Sequence, residues 1–400
     1  MKPLLLIPML ALSAQLVWAG APYKPTSGSQ VLEKLRTTPL DSAQRELREQ
    51  ARQLSQEPTN LVLAVTVATG FIERARVEGD PRYRGYATHA LQPWWDADDR
   101  PSSVSLLRAS LLQSDHHFPE ALQELDRLIA SNPRHGGAQL MRANILTVTG
   151  RYAEAQRAAI RLIGQVPGHL ALGATALVAS LTGRSETAST LLTTEMKRLP
   201  ADTSTSDRVW LMTLLAEIEN RRGKTVEAET NFKQAIALGT KDVYLLAAYA
   251  DFLLDQKRPT EVIPLLEDQT RVDPLLLRYA IAQAAIDRQS ATAKAAIEQL
   301  HARFEAAHLR GDSAHQREEG LFALHLQHDA DAALKLAKAN WEVQKEPTDA
   351  RLFLQAAHAA QQPQAATPVL EWMQTNKIED VHLNSASQAV AALGSPSGAK

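Results

Sequence analysis

The stretch Ala143-Asn-Ile-Leu-Thr-Val-Thr-Gly150-Arg-Tyr-Ala-Glu-Ala155 places two alanines twelve residues apart, with a glycine five before the second. The same spacing recurs along the chain. Ala75, Ala109, Ala176, Ala216 and Ala250 are followed twelve residues later by Ala87, Ala121, Ala188, Ala228 and Val262. Successive steps from Ala75 to Ala250 are 34, 34, 33, 40 and 34 residues, and a fixed period of this length is the mark of a repeat built from helix pairs. Four residues beyond each second position lie Leu91, Leu125, Ala159, Leu192, Phe232 and Leu266, all apolar and one helical turn away. Gly150, Gly183 and Gly223 are expected to form the tight turn inside a pair. Pro133, Pro167, Pro200 and Pro274 are expected to end the second helix. Small residues at the crossing point let two antiparallel helices approach, and the larger one fills the groove between neighbours.

These columns match the tetratricopeptide motif, and the chain resembles exported bacterial tetratricopeptide-repeat proteins. The reading is an all-α fold, a right-handed α-solenoid of stacked antiparallel helix pairs. Weaker rungs continue the ladder: Ala284 with Ala296 and Leu300, Leu321 with Ala333 and Ala337, and Leu354 with Ala366. About nine pairs are therefore expected over residues 58–373. Asp41 is placed to cap a preceding helix through Gln56, with Leu47, Ala51 and Leu54 on one face. Residues 20–57 read as leader and capping helix, and 374–400 as a C-terminal tail fraying from Ser385. Two insertions interrupt the period: a polar loop at Ala201–Arg208, where the array is expected to bend, and Leu309–Ser313. The segment Gly79–Ala87, with Pro93-Trp94-Trp95, Leu107-Arg108-Ala109 and the later Asn340-Trp341, Glu346-Pro347 and Asp349-Ala350, is similar to a subgroup of these proteins of unassigned function. That resemblance implies a scaffold, with a partner in an envelope or membrane-transport complex, and supplies no catalytic residue.

Lys2, the apolar run Leu4–Leu12 and the small residues Ala19 and Ala21 read as a signal peptide over residues 1–19, cleaved after Ala19. Pro8, Ser13 and Gln15 interrupt the run, which argues against a permanent anchor. The mature chain is then expected in the periplasm or secreted, with no integral membrane span. The sequence has no cysteine, so it carries no disulfide, thiolate metal site or lipid-bearing cysteine. Lys plus Arg number 43 against 45 Asp plus Glu, without a single-sign block, which disfavours a nucleic-acid partner.

In this fold the first helix of each pair lines the concave face, and residues one, four and five after the first alanine point inward. With the residue six before it, this selects Arg76, Asn144, Trp210, Glu217, Asn220, Arg221, Tyr244, Asp251, Asp255, Arg278 and Arg288. Asn144 and the set from Trp210 to Arg278 are the candidate partner-binding residues, because aromatic and arginine side chains carry interface energy. The occupant expected is a protein or peptide. His301 with His308, and His325 with His328, have spacings that can share a metal; no carboxylate cluster or known motif accompanies them, so no metal site and no cofactor is assigned. A metal-handling accessory of a transporter is the alternative function. No Gly-x-Ser-x-Gly elbow, His-Glu-x-x-His helix or phosphate loop is present, so the expectation is a non-enzymatic protein.

Overall fold

A computed structural model describes Ser27 and residues 42–309 and 316–394. The signal-peptide reading, most of the leader and part of the second insertion lie outside the described residues. Helix α1 (Ser42–Gln56) precedes nine helix pairs among the described residues. Pair 1 is α2 (Leu61–Glu78) with α3 (Arg82–Ala90) and the short α4 (Gln92–Trp95). Pairs 2 to 5 are α5 (Ser102–Ser114) with α6 (Phe118–Ser131), α7 (Gly136–Val148) with α8 (Tyr152–Arg161), α9 (Gly168–Ser180) with α10 (Ser185–Met196), and α11 (Thr205–Arg221) with α12 (Thr225–Ala237). Pairs 6 and 7 are α13 (Val243–Asp255) with α14 (Pro259–Leu266) and α15 (Asp273–Asp287) with α16 (Ala291–Leu309). Pair 8 is α17 (Gln316–Phe322), prolonged by a π-helical turn to Gln327, with α18 (Ala330–Val343). Pair 9 is α19 (Pro347–Ala359) with α20 (Thr367–Asn376), and α21 (Val381–Gly394) follows.

Most of the ladder is core, whereas Ala75, Ala284 and Leu321 are only half-buried. Ala109, Ala176, Ala216 and Ala250 are fully buried, as are Ala87, Ala121, Ala155, Ala188, Ala228, Val262, Leu354 and Ala366. A larger side chain at these positions would force the paired helices apart. The turn inside a pair is more regular than its glycines suggest. The residue five before the second ladder position adopts a left-handed conformation at His116, Gly150, Gly183, Gly223, Lys257, His328 and Gln361. Four of these seven carry a side chain, at a cost of about 1–2 kcal/mol each, so the helix–helix contact imposes the turn even without glycine. The prolines act differently from expectation: Pro167 stands at the N-cap of α9 and Pro274 in the first turn of α15. Both start the next helix, where a missing N–H costs nothing.

Two further expectations change. The insertion at Ala201–Arg208 does not remain a loop: Ser204 caps α11 by accepting from the Asp207 amide at 3.0 Å, and the helix starts at Thr205. Arg208 ties the rest down through the carbonyls of Pro200, Ala201 and Thr203. The segment after residue 373 is not a frayed tail either. α20 runs on to Asn376, and α21 buries Leu383 and Val390.

Superhelical turns stack directly on one another. The intra-pair turns of the first five pairs form one edge of the spiral, and later inter-pair loops sit on it. A Cβ at Gly79 would meet Val272, one at Gly150 Lys345, one at Gly183 Lys377 and one at Gly223 Val381. Gln344 reaches His116 at 3.4 Å. The Lys345 amide donates to the Val148 carbonyl at 2.8 Å, and the Tyr152 hydroxyl donates to the Lys345 carbonyl at 2.9 Å. Tyr152, Trp372, Trp341 and Phe353 meet in sequence across this seam through tilted and edge-to-face ring contacts. One apolar core consequently spans residues from both turns, Ala109 to Leu181 and Ala323 to Val390.

Candidate functional site

The inner faces of α11, α13 and α15 turn toward α17 and α19 of the second turn. Each inward side chain is placed by the helical offset from its ladder alanine. Asp242 caps α13 by accepting from the Leu245 amide at 3.0 Å, which sets the rotation of the helix that carries Tyr244, Asp251 and Asp255. Glu346 and Asp349 form a reciprocal capping box at the start of α19, with Pro347 in its first turn.

Around Tyr244 two hydrogen-bonded polar groups lie within electrostatic reach of each other. The Tyr244 hydroxyl donates to Glu217 Oε1 at 2.8 Å, while 57% of the tyrosine surface stays accessible. Arg317 donates to Glu346 Oε2 at 3.2 Å, Thr348 Oγ1 at 3.2 Å and Asp349 Oδ1 at 3.5 Å. Asn340 donates to the same oxygen of Asp349 at 2.8 Å. The enclosure is legible in the electrostatics. Burial pushes Glu217 up against the pull of Arg221, and burial together with the Glu217 and Glu346 carboxylates holds Tyr244 well above its ordinary value. Burial and repulsion from Asp349 raise Glu346 to about 7, with Arg317 opposing. Burial works against the charge of Arg317, but Glu318, Asp349 and Glu346 outweigh it and raise its pKa. Tyr244 therefore lies within electrostatic reach of charges from both turns while more than half of its surface stays open.

The other candidates are held within the chain. Arg278 is buried and grips Asp251 with two bonds of 2.9 and 2.8 Å. Arg351 of the second turn grips Asp255 at 2.6 and 2.5 Å. His382 of α21 lies 3.2 Å from Asn220, and Arg221 donates to Ser180 at 2.9 Å. Asn144 is half-buried on α7. Trp210 leaves the group: its ring occupies the space that a Cβ on Gly173 would need, so it packs α11 against α9 instead of opening to the interior. Arg288 bonds the Leu326 carbonyl, and Arg76 bonds Asp242. The read-out from helical offset thus finds the inner face, but not the second-turn groups Arg317, Glu346, Asp349 and Arg351 that complete it. Only the Glu346-Pro347-Thr348-Asp349 cap could have flagged them in the sequence.

The four histidines keep different neighbours. His301 is near Glu305 at 3.8 Å, His308 bonds Glu319 at 3.0 Å, and His328 occupies a left-handed turn. Among the described residues no group of three or more His, Asp or Glu could hold a metal, and no helix is long and apolar enough to cross a membrane. The cluster can hold a polar or charged group by hydrogen bonding, its carboxylates being engaged by arginine and tyrosine.

No family model matches the chain, and no curated protein matches it. Solved structures similar to it include a tetratricopeptide repeat protein from Parabacteroides merdae, at 15% identity and TM-score 0.35 over 79% of this chain and 99% of that one. The APC/C hetero-tetramer Cut9–Hcn1 is similar at 10% identity and TM-score 0.49, over 83% of this chain and 64% of that one. Yeast Tom70 is similar at 11% identity and TM-score 0.40, over 88% and 85%. With nine helix pairs among the described residues and a ladder that is mostly buried, the chain has the architecture of a tetratricopeptide-repeat protein, an all-α solenoid.

Proposed function

We propose that the protein is an extracytoplasmic, non-catalytic scaffold that holds a segment of a protein partner, an envelope or membrane-transport component, in the superhelix interior. The observation that carries this reading is Tyr244, an aromatic side chain 57% accessible on an inner face, with its hydroxyl already oriented by Glu217. Aromatic anchors with a fixed polar end concentrate binding energy. The placement outside the cytoplasm is supported by Lys2 and the apolar run Leu4–Leu12. Partner capture from a native envelope extract, followed by mass spectrometry, tests it. The double change Tyr244→Ala with Glu217→Gln removes capture while circular dichroism keeps its helical signal; undiminished capture overturns the assignment of the binding surface.

A further inference from the structure

The two-turn seam is built unevenly. From pair 2 onward it has an apolar core shared by both turns, the Tyr152–Trp372–Trp341 ring cluster, a backbone bond from Lys345, and side-chain bonds of Gln344 and of Glu379, whose carboxylate accepts from Ser185 at 2.8 Å. At pair 1 it changes character. There Arg76 reaches Asp242 at 2.8 Å and Arg271 approaches Glu78, which Arg74 also pairs, at 3.9 Å, while 49% of Arg76 and 39% of Arg271 stay exposed against 21% and 13% of their carboxylate partners. One apolar side chain, Val272, rests on the Cα of Gly79. Exposed ion pairs hold little and are screened by salt. Asp242 has two roles, because its other oxygen caps α13, the helix that carries Tyr244. Glu78 is in turn positioned by Gln44 at 2.6 Å and Tyr83 at 3.3 Å.

We infer that this contact is a polar clasp, and that its release, with pair 1 swinging away from pairs 6 and 7, admits a bulky ligand to the interior beside Tyr244. A solenoid accommodates such a movement by small rotations at each pair interface, since each repeat touches mainly its neighbours. The apolar part of the seam stays shut and keeps the second turn in place. The clasp also gives the Gly79–Ala87 segment a use: Gly79 supplies the left-handed turn, φ 63°, that lets Val272 settle, and Tyr83 holds Glu78 toward Arg271. The inference rests on the proposed interior binding surface, but its test requires no partner, so the two can fail separately.

The chain has no cysteine, and Tyr244→Cys therefore installs a single interior thiol. Its labelling is followed with N-ethylmaleimide and with a maleimide carrying a long polyethylene glycol chain, which share one reactive group and differ in bulk. With the clasp intact at low salt, the bulky reagent reacts much more slowly than the small one. Adding Arg76→Ala and Arg271→Ala raises the bulky rate about ten-fold, the scale that two exposed ion pairs can hold, and leaves the small-reagent rate unchanged. Raising salt from about 20 mM to about 0.5 M, with no change to the clasp, moves the bulky rate in the same direction. A bulky rate unaffected by both treatments overturns the inference, as does equal reactivity of the two reagents at low salt.

Discussion

Replacing Gly183 with alanine isolates the stacking of superhelical turns from the strain of a turn. Gly183 has φ 70°, and an alanine Cβ would lie 3.0 Å from the Lys377 Cβ and 3.3 Å from its carbonyl oxygen, both in the second turn. Gly164 has φ 77° with nothing within 4 Å of the same added atom. Both substitutions meet the left-handed penalty of about 1–2 kcal/mol, offset by about 0.4–1 kcal/mol because alanine loses less freedom on folding. Gly164→Ala should therefore cost about 1 kcal/mol. Gly183→Ala must also push Lys377 back against a well-packed seam, a displacement of the overpacking kind that adds about 1–3 kcal/mol. Urea unfolding followed by circular dichroism measures both losses. Amide exchange at Ser185, whose N–H is bonded to Glu379 at 2.8 Å across the seam, reports the local opening. Combining Gly183→Ala with Glu379→Gln should be less than additive, since both changes weaken one contact. If Gly183→Ala and Gly164→Ala cost the same and leave Ser185 exchange alike, the stacked-turn argument is refuted.

Other expectations follow from particular contacts. Glu124 is 2% exposed and binds Arg100 at 2.8 Å and Arg108 at 2.7 Å; Glu124→Ala leaves buried guanidinium charge unpaired and should cost about 3–5 kcal/mol, measured by denaturant titration. Glu346 is raised to about 7, so the folded state holds its proton more tightly than the unfolded one. Its contribution is present below the ordinary carboxylate range and is lost as pH rises through 7. After allowance for its partial exposure, stability should fall by about 1 kcal/mol over that interval, and Glu346→Gln should flatten the slope in melts recorded across pH. A Cβ at Gly173 would lie 2.4 Å from the Trp210 ring. Gly173→Ala should then cost about 1–3 kcal/mol, and Trp210→Leu on the same chain should recover part of it, as read from Tm.

Which elements could be read in the sequence depended on how local their physics is. The alanine columns report contacts between helices one turn apart, and burial of Ala109, Ala121, Ala216 and Ala228 follows from that spacing alone. Helix boundaries were harder where a residue type serves two purposes: Pro167 and Pro274 end nothing and open the next helix. The insertion after Pro200 was legible as polar but not as a capped helical start, because Ser204 shows its role only once the Asp207 amide points at it. On the inner face, Glu217, Tyr244, Asp251 and Asp255 were reachable by counting from the alanines. Trp210 was not separable from them, since its neighbour Gly173 is 37 residues away and nothing in the local pattern marks it.

The sequence by itself determined the repeat, its period and the helix pairs, because each rests on contacts within a pair or between neighbouring pairs. Only the tertiary structure decided that the spiral winds tightly enough for its turns to touch. It also decided that Arg317, Glu346 and Arg351 close the interior opposite Tyr244 and Asp255, and that Arg76 meets Asp242. The physical reason is accumulation. A small rotation at each pair interface, invisible in any one repeat, sums over five or six pairs to bring residues about five repeats apart into contact.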